Sequence, residues 1–248
     1  MGHDAGVASP LPALLLVILG ACAAPRTPEP VVPRPPANPD VQADAASVAR
    51  GLLRAQPADW AAHMEAAWSA GERIVAPLVD GLQQDPEAPG GQPAVRLLGM
   101  FGGKVAIQFL ETHLRERGRN ATEAALALGE ADARAAVPLL RETAVDRLAD
   151  PTLRCACTAG LVRLGAGRDV RTLVRAFVLA GTPAGEPLRL ELGLPQRSRW
   201  ALERHMLQRA LLAASGNDFG FDTDSPWPDL ERAAEAIDAF LTAPANPR

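Results

Sequence analysis

The chain predicts an all-α fold, organised as an α-solenoid of helical hairpins with a capping segment at either end. Three observations carry that expectation. From Val41 onward apolar residues recur at spacings of three and four, with few β-branched runs and no strand-like alternation. Four segments share one template of apolar offsets 0, +3 and +4, with +7 or +8 small or apolar: Val75, Leu78, Val79, Leu82; Ala106, Phe109, Leu110, Leu114; Ala136, Leu139, Leu140, Ala144; and Val170, Leu173, Val174, Phe177. Their starts lie 31, 30 and 34 residues apart, a period that belongs to stacked supersecondary units. Before each template stands Ala70-Gly71, Leu98-Gly99, Leu128-Gly129 or Leu164-Gly165, where glycine can close a first helix in a left-handed cap. Pro77 and Pro138 share a register near the start of the second helix, where a missing N–H costs little.

Taken from the N-terminus, the first element is an address. Leu19-Gly20-Ala21-Cys22 closes an apolar run from Leu11 to Leu19, far shorter than the roughly 20 residues of a spanning helix. It resembles a bacterial lipoprotein signal, and the resemblance implies cleavage before Cys22 and acylation of that cysteine. Met1 to Pro10 has no Lys or Arg, so a plain signal peptide and a different start remain the alternatives. N-myristoylation is excluded, because Gly6 stands where that motif needs Ser or Thr. Ala23 follows the cysteine in place of Asp, which in the lipoproteins it resembles favours the periplasmic face of the outer membrane in a Gram-negative cell.

Residues 1–21 thus read as the signal and 22–40 as the lipidated cysteine with a tether. Pro25, Pro28, Pro30, Pro33, Pro35, Pro36 and Pro39 fix backbone angles there and remove donors. In polyproline II, at about 3.1 Å per residue, Ala23 to Asp40 reaches roughly 55 Å. Residues 41–70 supply capping helices, one opened by Pro57 and carrying Trp60, Met64, Ala67 and Trp68 as a core stripe. The repeats occupy 71–180. Residues 181–248 hold a Gly/Pro-interrupted loop from Gly181 to Pro195, a helix from Ser198 to Ala214, and a closing segment. In that segment Gly216 ends the helix, while Phe219, Phe221 and Trp227 are expected to bury against the last repeat.

A formal net charge of −4 argues against nucleic acid as a partner, since that binding needs a basic surface. Lys104 is the only lysine beside frequent arginine, a composition bias rather than a charge pattern. Cys155 and Cys157 are two apart, so on a helix they point roughly 200° from one another and no bridge joins them without breaking it. Free buried thiols are expected, with Cys157 on one stripe with Leu153, Leu161 and Leu164. Neither a metal nor a cofactor is expected. The C-x-C pair lacks further ligands nearby, and Asp218, Asp222 and Asp224 fail the calcium-loop order because Pro226 stands at a ligand position. Asp218-Phe219-Gly220 lacks every other kinase element, and His63, His113 and His205 form no His-Glu-x-x-His pair. Asn120 is expected to cap a helix.

Asp150-Pro151-Thr152-Leu153-Arg154, continuing through Ala159 and Leu161 to Leu164-Gly165, resembles the opening and close of a HEAT repeat, of the short variety also found in phycobilisome lyases. Pro93-Ala94-Val95-Arg96-Leu97-Leu98-Gly99 is a shortened version. The resemblance covers about Ala55 to Leu179. It implies a right-handed α-solenoid of HEAT-like helical hairpins that binds another molecule through an extended concave face. It carries no catalytic residue across: the iron-binding His-Glu dipeptides of HEAT-repeat deoxyhypusine hydroxylase are absent here.

The function expected is that of a non-enzymatic, membrane-anchored envelope scaffold or adaptor for another protein. The alternatives are a lyase-like or other enzymatic helper on the same fold, and a structural link between membrane and cell wall. The binding face is expected on the second helix of each hairpin, at Asp80, Gln108, Glu111, Arg141, Arg171 and Arg175. A second candidate is the basic helix with Arg197, Arg199, Arg204 and Arg209 around Trp200, whose bland alternative is a solvated face partly neutralised by Glu203. The address has its own test: Cys22→Ala is expected to move the protein from the detergent phase to the aqueous phase. Unchanged membrane association of that variant, with no acyl chain detected on the wild type by mass spectrometry, would remove the lipoprotein reading.

Overall fold

The computed structural model describes residues 44–194 and 199–243, so Cys22, the proline-rich segment and Arg197 lie outside the described residues. The fold is all-α, with no strand among the described residues. Its helices are α1 (Ala45–Arg54), α2 (Trp60–Ala70), α3 (Val75–Gln84), α4 (Gly91–Phe101), α5 (Gly103–Glu116), α6 (Ala121–Glu130), α7 (Val137–Val145), α8 (Pro151–Arg163), α9 (Arg171–Val178), α10 (Gly185–Glu191), α11 (Trp200–Ser215) and α12 (Trp227–Thr242).

Local chemistry sets several of these boundaries. Asp150 caps α8, its Oδ1 accepting from the backbone N–H of Thr152 at 2.8 Å and of Leu153 at 3.3 Å, while Pro151 fills the first helical position. Asp44 does the same for α1 through the N–H of Ala46. Gly71 and Gly165 follow the ends of their helices at positive φ, 65° and 76°, though Gly71 at ψ −153° lies outside the left-handed helical region. Gly99 and Gly129 follow no helix end: both lie inside their helices, and the positive-φ positions that follow are Gly102 and Asp132. Asn120 stands at the start of α6, but its side chain makes no capping bond and its buried Nδ2 faces Gly91.

The two displaced glycines serve packing instead. Helices α4, α6 and α8 start at Gly91, Ala121 and Pro151, thirty residues apart, and pack in series with α11 next in the row. A Cβ at Gly99 would stand 2.6 Å from Cα of Ala127, and one at Gly129 would stand 2.9 Å from Cα of Gly160. Neither space exists. Outside this row α5 packs on α6 and α7 on α8, so each second helix leans on the next first helix. Exposed polar pairs bridge the same interval: Arg119 to Glu87, Gln92 to Glu123, Arg117 to Asp146 and Arg141 to Asp169 join residues 28 to 32 apart. Such exposed pairs contribute little each, about 0–1 kcal/mol, so they follow the register more than they create it.

Helix α8 is the centre of the molecule. Every residue from Leu153 to Val162 is buried, which a helix enclosed on all sides requires and which erases its amphipathic pattern. Cys155 and Cys157 are free and buried within it. Burial in this apolar setting pushes the Cys157 thiol up to about 12 and holds the Cys155 thiol well above the ordinary range, the nearby Glu203 adding to the effect. Both stay protonated and act as small packing groups.

The C-terminal end departs from expectation in two ways. The loop between Gly181 and Pro195 contains the short helix α10, and the closing segment continues into α12. Leu230, Ala233, Ala234, Ile237 and Leu241 of α12 are buried, and this helix packs on α9. Phe221 is buried, and Phe219 is partly buried and meets Phe240 of α12 with the rings tilted and their centroids 5.6 Å apart, so its partner is α12 rather than the last repeat. Trp227 is 53% exposed, so it does not bury against the last repeat as the sequence predicts. Asp218 and Asp222 hold turns: their carboxylates accept from the N–H of Gly220 and of Asp224, each at 2.9 Å. At the other end Trp68 stacks on Phe101 at 5.2 Å, Ala67 is buried and Met64 packs against the core as well as lining a groove, while Trp60 lines that groove without joining the core.

The close approach of α4 and α6 gives a stability test with an unusual sign. Ala normally gains about 1 kcal/mol over Gly inside a helix, whereas overpacking against a neighbouring backbone costs about 1–3 kcal/mol. Gly99→Ala is therefore expected to lower stability in urea unfolding. A gain of the propensity-based size would show that the helices do not touch there.

Candidate functional site

The row of first helices leaves a groove of about 780 Å³, lined by α2, α4, α6, α8, α11 and the residues just before α6 and α11. Its periodicity is that of the fold. Gln92, Thr122 and Thr152 each occupy the second position of α4, α6 and α8, thirty residues apart, and all three line it. Gln92 is tied to the next unit by a 2.6 Å bond from its Nε2 to Glu123. Trp60, Met64, Leu126, Leu202 and Met206 supply apolar surface. Trp60 is held by its indole N–H, which donates to the carbonyl of Ala55 at 3.1 Å.

Charge is the groove's distinguishing property. Five arginines, Arg96, Arg119, Arg163, Arg199 and Arg209, stand against two glutamates, Glu123 and Glu130, on a chain whose net charge is −4. Arg119 is engaged with Glu87 at 3.2 Å. Arg96, Arg163, Arg199 and Arg209 make no ion pair among the described residues. Their guanidinium groups present planar, permanently charged donor forks beside apolar side chains, which suits the recognition of carboxylates carried on a partly apolar molecule. No group of three or more His, Cys, Asp or Glu among the described residues is placed to hold a metal ion.

A second set of arginines lies under this surface and holds it in place. Arg189 of α10 and Glu203 of α11 form an ion pair at 3.2 Å with side-chain exposures of 1% and 0%. Arg154 of α8 donates through Nε to the Ala144 carbonyl at 3.0 Å and through Nη2 to that of Leu192 at 3.1 Å. Arg204 donates to the carbonyls of Val178 at 3.1 Å, Thr223 at 2.8 Å and Ala180. Burial lowers the pKa of Arg154 and Arg204 from the ordinary arginine value, and charge is retained there because backbone carbonyls replace water. These contacts fasten the segments around α9 and α10 to α8 and α11, which forms one wall of the groove.

The residues expected from the sequence fall elsewhere. Asp80 lies on α3, Gln108 and Glu111 on α5, Arg141 on α7, and Arg171 and Arg175 on α9, and none of them lines the groove. Arg141 is paired with Asp169, and Arg171 and Arg175 flank a small gap between α9 and α12. The basic helix divides: Arg199, His205 and Arg209 line the groove, whereas Arg204 is structural and Glu203 is buried with Arg189 rather than neutralising a solvated face. Trp200 packs over Gly181, where it leaves no room for a Cβ. Arg96 stands in the Pro93 to Gly99 segment that resembles a repeat opening, and Arg163 carries no signal of its own, since the residues thirty positions away from the two are Leu126 and Ala133.

A scan of family models, a search of curated proteins and a search of solved structures each give no match to the chain.

The buried pair is testable through asymmetry. Removing one partner of a buried ion pair costs about 3–5 kcal/mol, because the other charge is stranded, while replacing both with apolar groups is often neutral. Glu203→Leu is expected to lower the melting temperature sharply, and Arg189→Met with Glu203→Leu to recover much of the loss. Equal melting of wild type and the single variant would show that the pair does not fasten α10 to α11.

Proposed function

We propose that the chain is a membrane-anchored envelope adaptor, a HEAT-like solenoid held by lipid on Cys22, that binds another protein along the arginine-lined groove. The observation that carries this reading is the groove itself. One continuous concavity draws side chains from successive helices of a repeated row, so a partner can touch several units at once. Its contents suit binding, because guanidinium donors and apolar side chains lie side by side along it. The proline-rich tether gives such a module reach from the membrane surface.

The competing face is the row of second helices, and a pair of charge reversals separates the two. With photo-cross-linking amino acids placed at Leu202 in the groove and at Gln108 on α5, the partner is expected to cross-link from Leu202 only. Arg96→Glu with Arg209→Glu should abolish that product, and Arg141→Glu with Arg175→Glu should leave it intact; surface reversals of this kind usually move stability by under about 0.5 kcal/mol. A product formed from Gln108 and lost on reversal of Arg141 and Arg175 would transfer the function to the second helices.

A further inference from the structure

We infer that the occupant of the groove is an acidic segment of a partner polypeptide, bound extended, with carboxylates and apolar side chains alternating along the side that faces the groove. This rests on the adaptor reading and names the chemistry of its partner.

Three features of the groove lead there. The first is its length. It crosses α4, α6, α8 and α11, and packed helix axes stand about 8–10 Å apart, so three steps span roughly 24–30 Å. A linear chain fits that run better than a compact small molecule. The second is its cross-section. About 780 Å³ spread over that length makes a narrow run, which an extended chain follows more closely than a helix 10–12 Å across. An extended strand advances about 3.3 Å per residue, so about eight residues cover the span and every second side chain points inward.

The third feature is the mixture of donors and apolar surface. Arg96, Arg163 and Arg209 have no ion-pair partner among the described residues, and Met64, Leu126 and Met206 lie in the same groove. Carboxylates answer the first set, with the planar bidentate geometry that arginine favours. Apolar side chains answer the second, and methionine adapts to varied shapes. An anionic polysaccharide brings charge without apolar side chains. A single-stranded nucleic acid wants several aromatic stacking platforms, and among the described residues only the rings of Trp60 and His205 line the groove.

The test uses the full chain in detergent and a fluorescein-labelled peptide, Glu-Ser-Leu-Ser-Glu-Ser-Leu-Ser-Glu, whose inward side chains alternate acid and leucine. In fluorescence anisotropy this probe is expected to bind at least about tenfold more tightly than versions with Lys for Glu or Ser for Leu. Arg96→Glu with Arg209→Glu should weaken it at least about tenfold without moving the melting curve. Arg141→Glu with Arg175→Glu should leave it unchanged. Equal affinity for the Ser-for-Leu version would overturn the alternating pattern, since charge alone would then suffice. Absence of binding by the probe overturns the proposal, as does binding that survives the groove reversal. So does retention of the groove-directed signal by phosphatidylglycerol vesicles in place of the peptide, which would make the groove a lipid-headgroup surface. If a partner protein still cross-links from Leu202 while the peptide fails, the adaptor reading stands and only the nature of the occupant is wrong.

Discussion

The distance between neighbouring first helices is the constraint on which the rest depends. At Gly99 against Ala127 and Gly129 against Gly160 the backbones meet with no volume for an added Cβ, which fixes how deeply α4, α6 and α8 nest and how their outer faces line up. Side chains at equivalent positions are then brought into rows, and the Gln92, Thr122, Thr152 row is the direct result. The polar pairs between units are consequences of that spacing rather than its cause, because exposed ion pairs gain little once side-chain ordering and solvent screening are counted.

Arginine does two opposite things in this chain, and burial alone separates them. Arg154, Arg189 and Arg204 are enclosed and have exchanged water for carbonyls or for Glu203. Arg96, Arg163 and Arg209 belong to helices of the same row but point into open space. A guanidinium tolerates both fates because its five donors can be met by carbonyls on several segments, and because its charge is never lost by deprotonation in ordinary conditions. The buried set ties α8 and α11 to the segments around α9 and α10 through backbone carbonyls and one ion pair.

Much of this was legible beforehand. The thirty-residue period, the Asp150-Pro151 start of α8, the stops at Gly71 and Gly165, the free buried cysteines and the turn at Gly216 follow from side-chain chemistry acting within a few residues. Helix α12 is equally legible, since Leu230, Ala233, Ala234, Ile237 and Leu241 repeat at helical spacing after Pro226; the aromatic residues from Phe219 to Trp227 point instead to a cap that ends at Trp227. Gly99 and Gly129 illustrate the limit most clearly. A glycine near a helix end reads equally well as a stop or as a point of close contact, and only the neighbouring helix distinguishes them.

The sequence by itself determined that the chain is helical, where several helices begin or end, and the interval at which its units recur, because propensity, capping and apolar periodicity are local properties. Tertiary structure decided which face of the row became the groove, which arginines were buried and which left open, and that α10 would form where glycine and proline suggested a loop. Those outcomes depend on contacts between residues far apart in the chain, such as Arg189 with Glu203 or Gly129 with Gly160, and no local spacing encodes which partners will meet. Arg204 and Arg209 sit on one helix five residues apart, about 140° around its axis, and what divides them is that α9 and the Thr223 turn enclose the first while the second faces the groove.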